Sequence, residues 1–361
     1  MKTFKIYLLW AVLPLLTLRT FAQGDPKMYV HYVNVGQANA MLLEFPKGAV
    51  LIDAGAQDDM TANLTTFLGQ FFARRLDLNR TLNAVFITHQ HKDHDLVLKD
   101  IAQRFKILNY IDNGHHDPHG SGKNQTWMEN HVAEMGIKYE SISFDKVTQN
   151  GNLHGLTDAI IDPVGGTTDP IITVYSGSYA DNEIAHGDDE NNHSLVIKVI
   201  YGKASFLFMG DLELDGIKKV LTYYHSVPGE LRADVLQVGH HGAKNATTDA
   251  WVKAVSPHYA VINCGQWDFG VQLPDSTAEK FTTYAYAHPT KAAIDILEAD
   301  IPDKRPRALT EHIGIKGTAS PHIKPVFTMG TITKNIYATA WNGNIQIAAS
   351  ADGTYQVTTD R

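Results

Sequence analysis

Short apolar runs and helical stripes alternate along most of this chain. Met28-Tyr29-Val30-His31-Tyr32-Val33-Asn34-Val35 reads as a first strand, followed by a turn at Gly36-Gln37-Ala38-Asn39. Residues 40–45 and 49–52 read as the second and third strands. Leu64, Phe67, Leu68, Phe71 and Phe72 recur at helical spacing, so residues 62–76 are predicted to form an amphipathic helix whose Phe stripe is core. The pattern then predicts a strand over 82–88, a helix over 95–104 and a strand over 107–111. Residues 112–125 form a polar, Gly-rich loop with His115, His116 and His119, before a helix at 126–135 and a strand at 137–144.

After a turn-rich stretch (145–170) and an acidic loop (176–192), residues 194–201 and 204–209 form a hairpin around Gly202-Lys203. A helix over 214–224, a strand over 233–238, a helix over 248–255 and a strand over 259–263 follow. Residues 264–286 read as an irregular insertion, and His288-Pro289 opens a helix over 290–297. A Pro/Arg/Lys-rich stretch leads to strand-like alternation over 332–359, with turns at Asn342-Gly343 and Asp352-Gly353. Strands alternating with helices predict a sheet layer covered by helices, of α/β class.

Chemistry gathers where the strands end. Ala84-Val85-Phe86-Ile87 is a buried run, and Thr88-His89-Gln90-His91-Lys92-Asp93-His94 follows it immediately. A tight strand-to-helix loop can aim His89 and His91 at one point and Asp93 and His94 at another, as two adjoining metal sites require. Imidazole nitrogen and carboxylate oxygen suit Zn²⁺, and also Mn²⁺ or Fe²⁺. The third strand ends on Asp53-Ala54-Gly55, and Asp53 is placed to hold a ligand histidine by its other nitrogen. Later strands end on Gly210-Asp211 and on Gly239-His240-His241-Gly242.

Composition narrows the setting. One cysteine, Cys264, excludes an intrachain disulfide and a Cys-rich zinc module. Lys2 and Lys5, an apolar run over residues 6–18, and Thr20-Phe21-Ala22 before Gln23 read as a secretory leader over residues 1–22. That run is short for a membrane span, so the mature chain is expected to be exported, periplasmic or secreted, without stable membrane association. Loss of Lys2, Lys5 and Arg19 takes the net charge from −8 to −11. Tight nonspecific DNA binding by a basic face is therefore disfavoured, and a local basic groove stays open.

Four motifs together resemble the metallo-β-lactamase superfamily: Leu51-Ile52-Asp53-Ala54-Gly55, the His89–His94 loop, Phe208-Met209-Gly210-Asp211 and Val238-Gly239-His240-His241-Gly242. Val35-Gly36-Gln37, Asn191-Asn192-His193-Ser194-Leu195-Val196 and His288-Pro289 resemble more narrowly the soluble domain of ComEC-type competence proteins. The resemblance implies a four-layer αββα sandwich, an α/β (α+β) fold. It also implies one hydrolase domain over residues 23–361, with a C-terminal strand extension from about residue 325.

The family pattern places His89 and His91 on one metal and Asp93 and His94 on a second, with Asp211 bridging. A late histidine joins the second metal, His240 being the first choice and His241 the next. His288 resembles a residue that touches the leaving group or a phosphate oxygen. The third ligand of the first metal is open among His193, His186, Asp188 and Asn192. Where the branch carries Gly-Asp after Val-Gly-Gln, this chain has Ala38-Asn39, one carboxylate fewer.

Two divalent cations about 3.5–4 Å apart lower the pKa of a shared water and stabilise attacking and leaving oxygens. Asp93 or Asp211 would orient that hydroxide. The expected function is phosphodiester hydrolysis, with nucleic acid the first candidate substrate and Zn²⁺ the first candidate metal. The alternatives are a small-ester hydrolase (phosphocholine, lactone or β-lactam) and a non-catalytic binding module with a degraded site.

Overall fold

The computed structural model describes residues 26–116, 122–166, 168–180, 183, 189–265, 286–316 and 326–361. The expected leader and most of the 264–286 insertion lie outside them.

The first half runs β1 (Lys27–Tyr32), β2 (Met41–Phe45), β3 (Gly48–Ile52), α1 (Thr61–Arg74), β4 (Thr81–Leu82), β5 (Ala84–Phe86), α2 (Lys92–Asp95), α3 (Leu98–Arg104), β6 (Lys106–Ile107), β7 (Asn109–Asp112), α4 (Lys123–His131), β8 (Lys138–Ser141) and α5 (Phe144–Val147). The second runs β9 (Pro170–Ser176), β10 (Val196–Tyr201), β11 (Ala204–Phe208), α6 (Leu214–Tyr224), β12 (Val235–Gln237), α7 (Asp249–Val255), β13 (Tyr259–Ile262), α8 (Lys291–Asp300), β14 (Lys304–Lys316), β15 (Val326–Lys334), β16 (Ile336–Ala338), α9 (Thr339–Asn342), β17 (Ile345–Ser350) and β18 (Tyr355–Thr359).

Period-two alternation sorts the strand residues into layers. Leu43, Val50, Ile52 and Phe86 enter a core shared with Ile197, Val199, Phe206 and Phe208 of the opposite sheet. Their neighbours Leu42, Leu51 and Val85 face outward onto Leu64, Leu68, Phe71 and Phe72 of α1 and Leu98 and Ile101 of α3. On the far side, Leu207, Leu236 and Ile262 pack against Ile217 and Val220 of α6, Trp251 of α7 and Ile294 of α8. The layers are therefore helix, sheet, sheet, helix, as the resemblance implied. One sheet has the order β18-β17-β1-β2-β3-β5-β7-β8 and the other β16-β13-β12-β11-β10-β9.

Three stretches differ from expectation. The run over 82–88 is split into β4 and β5 at Asn83, whose side-chain oxygen accepts from Ala49 N at 3.1 Å. The Pro/Arg/Lys-rich stretch contains β14, which pairs antiparallel with β15. Pro306 hides this strand, because it has no N–H for a ladder, and the register shifts between Lys304 and Leu309, across the proline. The alternation over 332–359 is broken by α9, where the chain crosses from one sheet to the other. β16 lies beside β13, whereas β17 pairs with β1, Ile347 opposite Val30.

Candidate metal centre

The ends of β3, β5, β11, β12 and β13 lie at one rim of the sandwich. The backbone there turns sharply. Asp53, His240 and His241 all have left-handed φ, at 59°, 46° and 54°. Non-glycine residues rarely adopt this conformation, and where they do the surrounding structure enforces it.

Asp93, His94, Asp211 and His241 converge, each offering one ligand atom, all within 4.8 Å of one another. His241 Nε2 lies 3.0 Å from Asp93 Oδ2 and 3.3 Å from Asp211 Oδ2. His94 Nε2 lies 3.3 Å from Asp211 Oδ1. It is buried and makes no hydrogen bond. A fully buried imidazole nitrogen aimed at two carboxylates and a second imidazole is a donor set that fits a divalent ion.

The other nitrogen of each ring is fixed from behind. His94 Nδ1 is 2.8 Å from Asp53 Oδ2, and Asp53 in turn accepts from the Thr88 N–H and hydroxyl at 2.8 and 3.0 Å. His241 Nδ1 donates to the Asn263 carbonyl at 2.7 Å. Once each ring is neutral, both arrangements leave Nε2 as the lone-pair atom facing the cluster. Asp211 N–H donates to Ser194 Oγ at 3.1 Å.

His89 and His91 form an adjoining half-site. His89 Nε2 lies 3.1 Å from His91 Nδ1, and the His89 ring centre is 4.0 Å from that of His94. His193 faces elsewhere: its Nδ1 accepts from Tyr179 N at 3.0 Å, and its ring stacks on His115 at 3.8 Å. Asn192 Oδ1 accepts from Gly216 N. His119, His186 and Asp188 lie outside the described residues. Neither His193 nor Asn192 therefore joins the imidazoles of His89 and His91.

His240, the first choice for the late ligand, stands outside the converging group. Its Nδ1 is 2.9 Å from Glu213 Oε1, and Glu213 also accepts from Asn191 Nδ2. The adjacent His241 takes the ligand position. Asn39, which stands where the branch has aspartate, is fully buried, and its amide Nδ2 lies 3.5 Å from Asp211 Oδ1. The Asn39 N–H also donates to the Asp93 carbonyl.

Charge is strongly polarised here. Burial opposes ionisation of Asp211, but the imidazoles of His241 and His94 hold it well below the usual carboxylate range. Partial burial opposes ionisation of Asp93 as well, and His241 and His94 hold it low. Burial also opposes charging of His94 and His241, yet the carboxylates win: Asp211 and Asp53 raise His94, and Asp211 and Asp93 push His241 up to about 10. His89 and His288 are driven well below the ordinary imidazole value, first by burial and then by neighbouring imidazoles.

Asp93, Asp211 and His241 line a cavity of about 450 Å³, whose wall also includes Gln37, His91, Asn191, His240, Tyr286 and His288; His94 is fully buried beside it. Gln37 Oε1 accepts from Gly265 N at 3.3 Å, so its Nε2 donates to His288 Nδ1 at 3.1 Å. His288 is thereby the Nε2–H tautomer. The following helix is capped by Thr290, whose side chain accepts from Ala293 N. Ser194, Asn263 and Glu213 were not singled out from sequence. Ser194 stands within the Asn-Asn-x-Ser motif. A carbonyl partner and a glutamate two residues past Asp211 leave no sequence signal.

The family model described as Metallo-beta-lactamase superfamily matches residues 33–265. ComE operon protein 3 of Bacillus subtilis is 24% identical over 255 residues, which cover 66% of this chain and 28% of that protein. Competence protein ComA of Neisseria gonorrhoeae is 34% identical over 104 residues, 29% of this chain and 12% of that one. Exodeoxyribonuclease WalJ of Streptococcus pneumoniae is 20% identical over 237 residues, 55% of this chain and 86% of that one. The matched parts thus span well under a third of the two competence proteins. Among solved structures, the metallo-beta-lactamase fold protein YhfI from Bacillus subtilis matches with a TM-score of 0.40 and 13% identity, covering 66% of this chain and 85% of that one.

Proposed function

The chain belongs to the metallo-β-lactamase superfamily and is a hydrolase of that fold, and on that premise we propose that it is an exported phosphodiesterase acting on nucleic acid. The observation that carries the reading is the convergence of Asp93, His94, Asp211 and His241 at the cavity that Asp93, Asp211 and His241 line. The names of its competence and exodeoxyribonuclease relatives support the choice of substrate. Residues 23–361 would be the exported domain.

Asp93, His94 and His241 would hold one ion, and His89 and His91 a second, with Asp211 between them. Zn²⁺ is the first candidate, because the donors are imidazoles and carboxylates only. Divalent ions bound there would lower the pKa of a water and neutralise charge on the phosphate oxygens.

The chain's own residues supply orientation. Asp53 and the Asn263 carbonyl lock the tautomers of His94 and His241. Ser194 Oγ and the Asn39 amide fix Asp211. His288, neutral and held by Gln37, presents its Nε2–H as a donor to a phosphate oxygen. His240, set against Glu213, faces the same cavity, where a leaving oxygen would depart.

The purified chain loaded with Zn²⁺ or Mn²⁺ is expected to cleave bis(p-nitrophenyl) phosphate and single-stranded DNA or RNA, and to lose both activities with chelator. Intact substrates under every metal would refute the reading. The net charge of −8 favours a second reading, a small phosphoester such as a phosphocholine ester. Turnover of that ester with no polynucleotide cleavage would select it.

A further inference from the structure

The β14–β15 ribbon carries a charge opposite to that of the whole chain. Lys304, Arg305, Arg307, Lys316 and Lys334 lie on it against one acid, Glu311, whereas the chain has net charge −8. One face is anchored: Ile313 and Ile332 are buried in the core that includes Ile294 and Leu297 of α8. Lys304, Arg307 and Thr310 are exposed along β14, and the apolar Ile315, Val326 and Met329 are exposed on the same ribbon.

Among the described residues Lys304, Arg305, Arg307 and Lys334 form no salt bridge with a carboxylate, although Glu298 and Glu311 act on Arg305 from farther off. Arg305 lies over the Tyr337 ring at 5.0 Å, and Lys334 Nζ donates to the carbonyls of Ile301 and Pro302. The nearest acids are turned inward or sideways. Glu298 accepts from the N–H groups of Thr333 and Lys334, and Asp303 pairs with His258 at 2.6 Å.

The ribbon starts at the cavity. Gly314 N–H donates to the Pro289 carbonyl at 2.9 Å, and Gly314 forms a bridge with Thr290. A Cβ at Gly314 would lie 1.8 Å from the Ala287 carbonyl oxygen, so the strand passes hard against the segment carrying Tyr286 and His288. Lys304 pairs with Lys334 and Gly314 with Phe327, 7 residues apart along β15; a strand rises about 3.4 Å per residue, which puts Lys304 roughly 24 Å along the ribbon from Gly314, with Arg307 between them.

We propose that the exposed cations of the β14–β15 ribbon, Lys304 and Arg307, grip the phosphate backbone of a nucleic acid whose end enters the cavity beside His288. This rests on the nucleic-acid phosphodiester reading and adds to it where the polymer is held and its direction of approach. Backbone contacts of this kind position a chain without reading its sequence. A local cationic strip on an acidic protein also explains how a substrate could be held without a broad basic face.

The test uses the mature full-length chain and fluorescein-labelled phosphorothioate oligonucleotides, followed by anisotropy across a salt series. The wild type is expected to bind single strands more tightly as their length rises, and to level off once they span the ribbon. Replacing Lys304 and Arg307 by alanine is expected to weaken binding about fivefold per cation near 0.1 M salt, and to reduce the salt slope by about 0.7 per cation. Lys253→Ala on α7, whose side chain is paired with Asp249, should match wild type.

Unchanged affinity and slope in the double variant would overturn the proposal, as would a flat salt dependence in the wild type. Binding to phosphatidylglycerol vesicles that needs these two residues, with oligonucleotide binding that does not, would overturn it in favour of a lipid surface. Hydrolysis of bis(p-nitrophenyl) phosphate by the wild type reads the metal centre alone. Its absence alongside ribbon-dependent binding refutes the function and leaves the ribbon; its presence with ribbon-independent binding does the reverse.

Discussion

Gly55 is where three segments of the metal centre come closest, and Gly55→Ala tests the geometry most directly. The Ala54 N–H donates to the His94 carbonyl at 2.7 Å, Gly55 N–H to Asn39 O at 2.9 Å, and Asn39 N–H to Asp93 O at 2.9 Å. A Cβ at residue 55 would lie 1.6 Å from the Asp93 carbonyl oxygen, where real Cβ atoms keep at least 3.0 Å. The obstacle is backbone, so the Asp93 peptide must retreat by more than 1 Å.

Overpacking of this kind costs about 1–3 kcal/mol. The two hydrogen bonds that end on the Asp93 and His94 carbonyls add about 1 kcal/mol each when strained, so a loss of roughly 3–5 kcal/mol in unfolding free energy is expected. Displacing Asp93 and His94 together should weaken metal affinity by at least about 10–100-fold, the range seen when only the supports of ligands are lost. Stability is read by urea unfolding, and affinity by competition with a chromophoric chelator together with elemental analysis. Gly69 in α1 is the control, because a Cβ there meets nothing within 4 Å. Gly69→Ala should stabilise by about 0.5–1 kcal/mol. A Gly55→Ala protein with wild-type metal affinity and stability within about 0.5 kcal/mol would refute the close-approach argument.

The two adjacent late histidines should separate cleanly. His241→Asn should abolish metal binding at the cluster and His240→Asn should retain it, asparagine being chosen because it tolerates the left-handed backbone of both positions; equal metal content in the two variants, by elemental analysis, would contradict the assignment. Metal uptake by the apo protein at neutral pH should release about two protons, because His94 and His241 are raised above neutrality and must lose their protons to ligate, whereas Asp93 and Asp211 are already ionised. Affinity should therefore fall as pH falls, and calorimetry in buffers of different ionisation enthalpy that finds no proton release would refute the charge assignment. Asp53→Asn should lower affinity about 10–100-fold while leaving the cluster's ligands in place, because an amide cannot hold His94 Nδ1–H as a carboxylate does; an unchanged chelator-competition curve would count against it.

What the sequence reveals about this site follows from which information is local. An apolar run of period two ending in a polar knot marks a strand end, so Asp53, the His89–His94 loop, Asp211 and the His240-His241 pair were all legible as ligand-type positions. The direction each ring faces is set by contacts far along the chain. His241 rather than His240 faces the cluster because its Nδ1 meets the Asn263 carbonyl, while Glu213 draws His240 aside. His193 sits in a legible motif, yet Tyr179 N and the His115 ring take it.

The same division governs the fold. Helix α1 announced itself through its buried stripe, Leu64, Leu68, Phe71 and Phe72, since a helix closes its hydrogen bonds within a few residues. Strand β14 did not, because Pro306 breaks its ladder, and β17 gave no hint that its partner would be β1, with Ile347 opposite Val30. Reactivity resides in the same long-range contacts. The carboxylate–imidazole pair that most distinguishes a built site from a histidine-rich loop joins Asp93 to His241, 148 positions apart. The residue types on a strand end state what a site could bind, and only the crossing of the two sheets decides which nitrogen is left free to bind it.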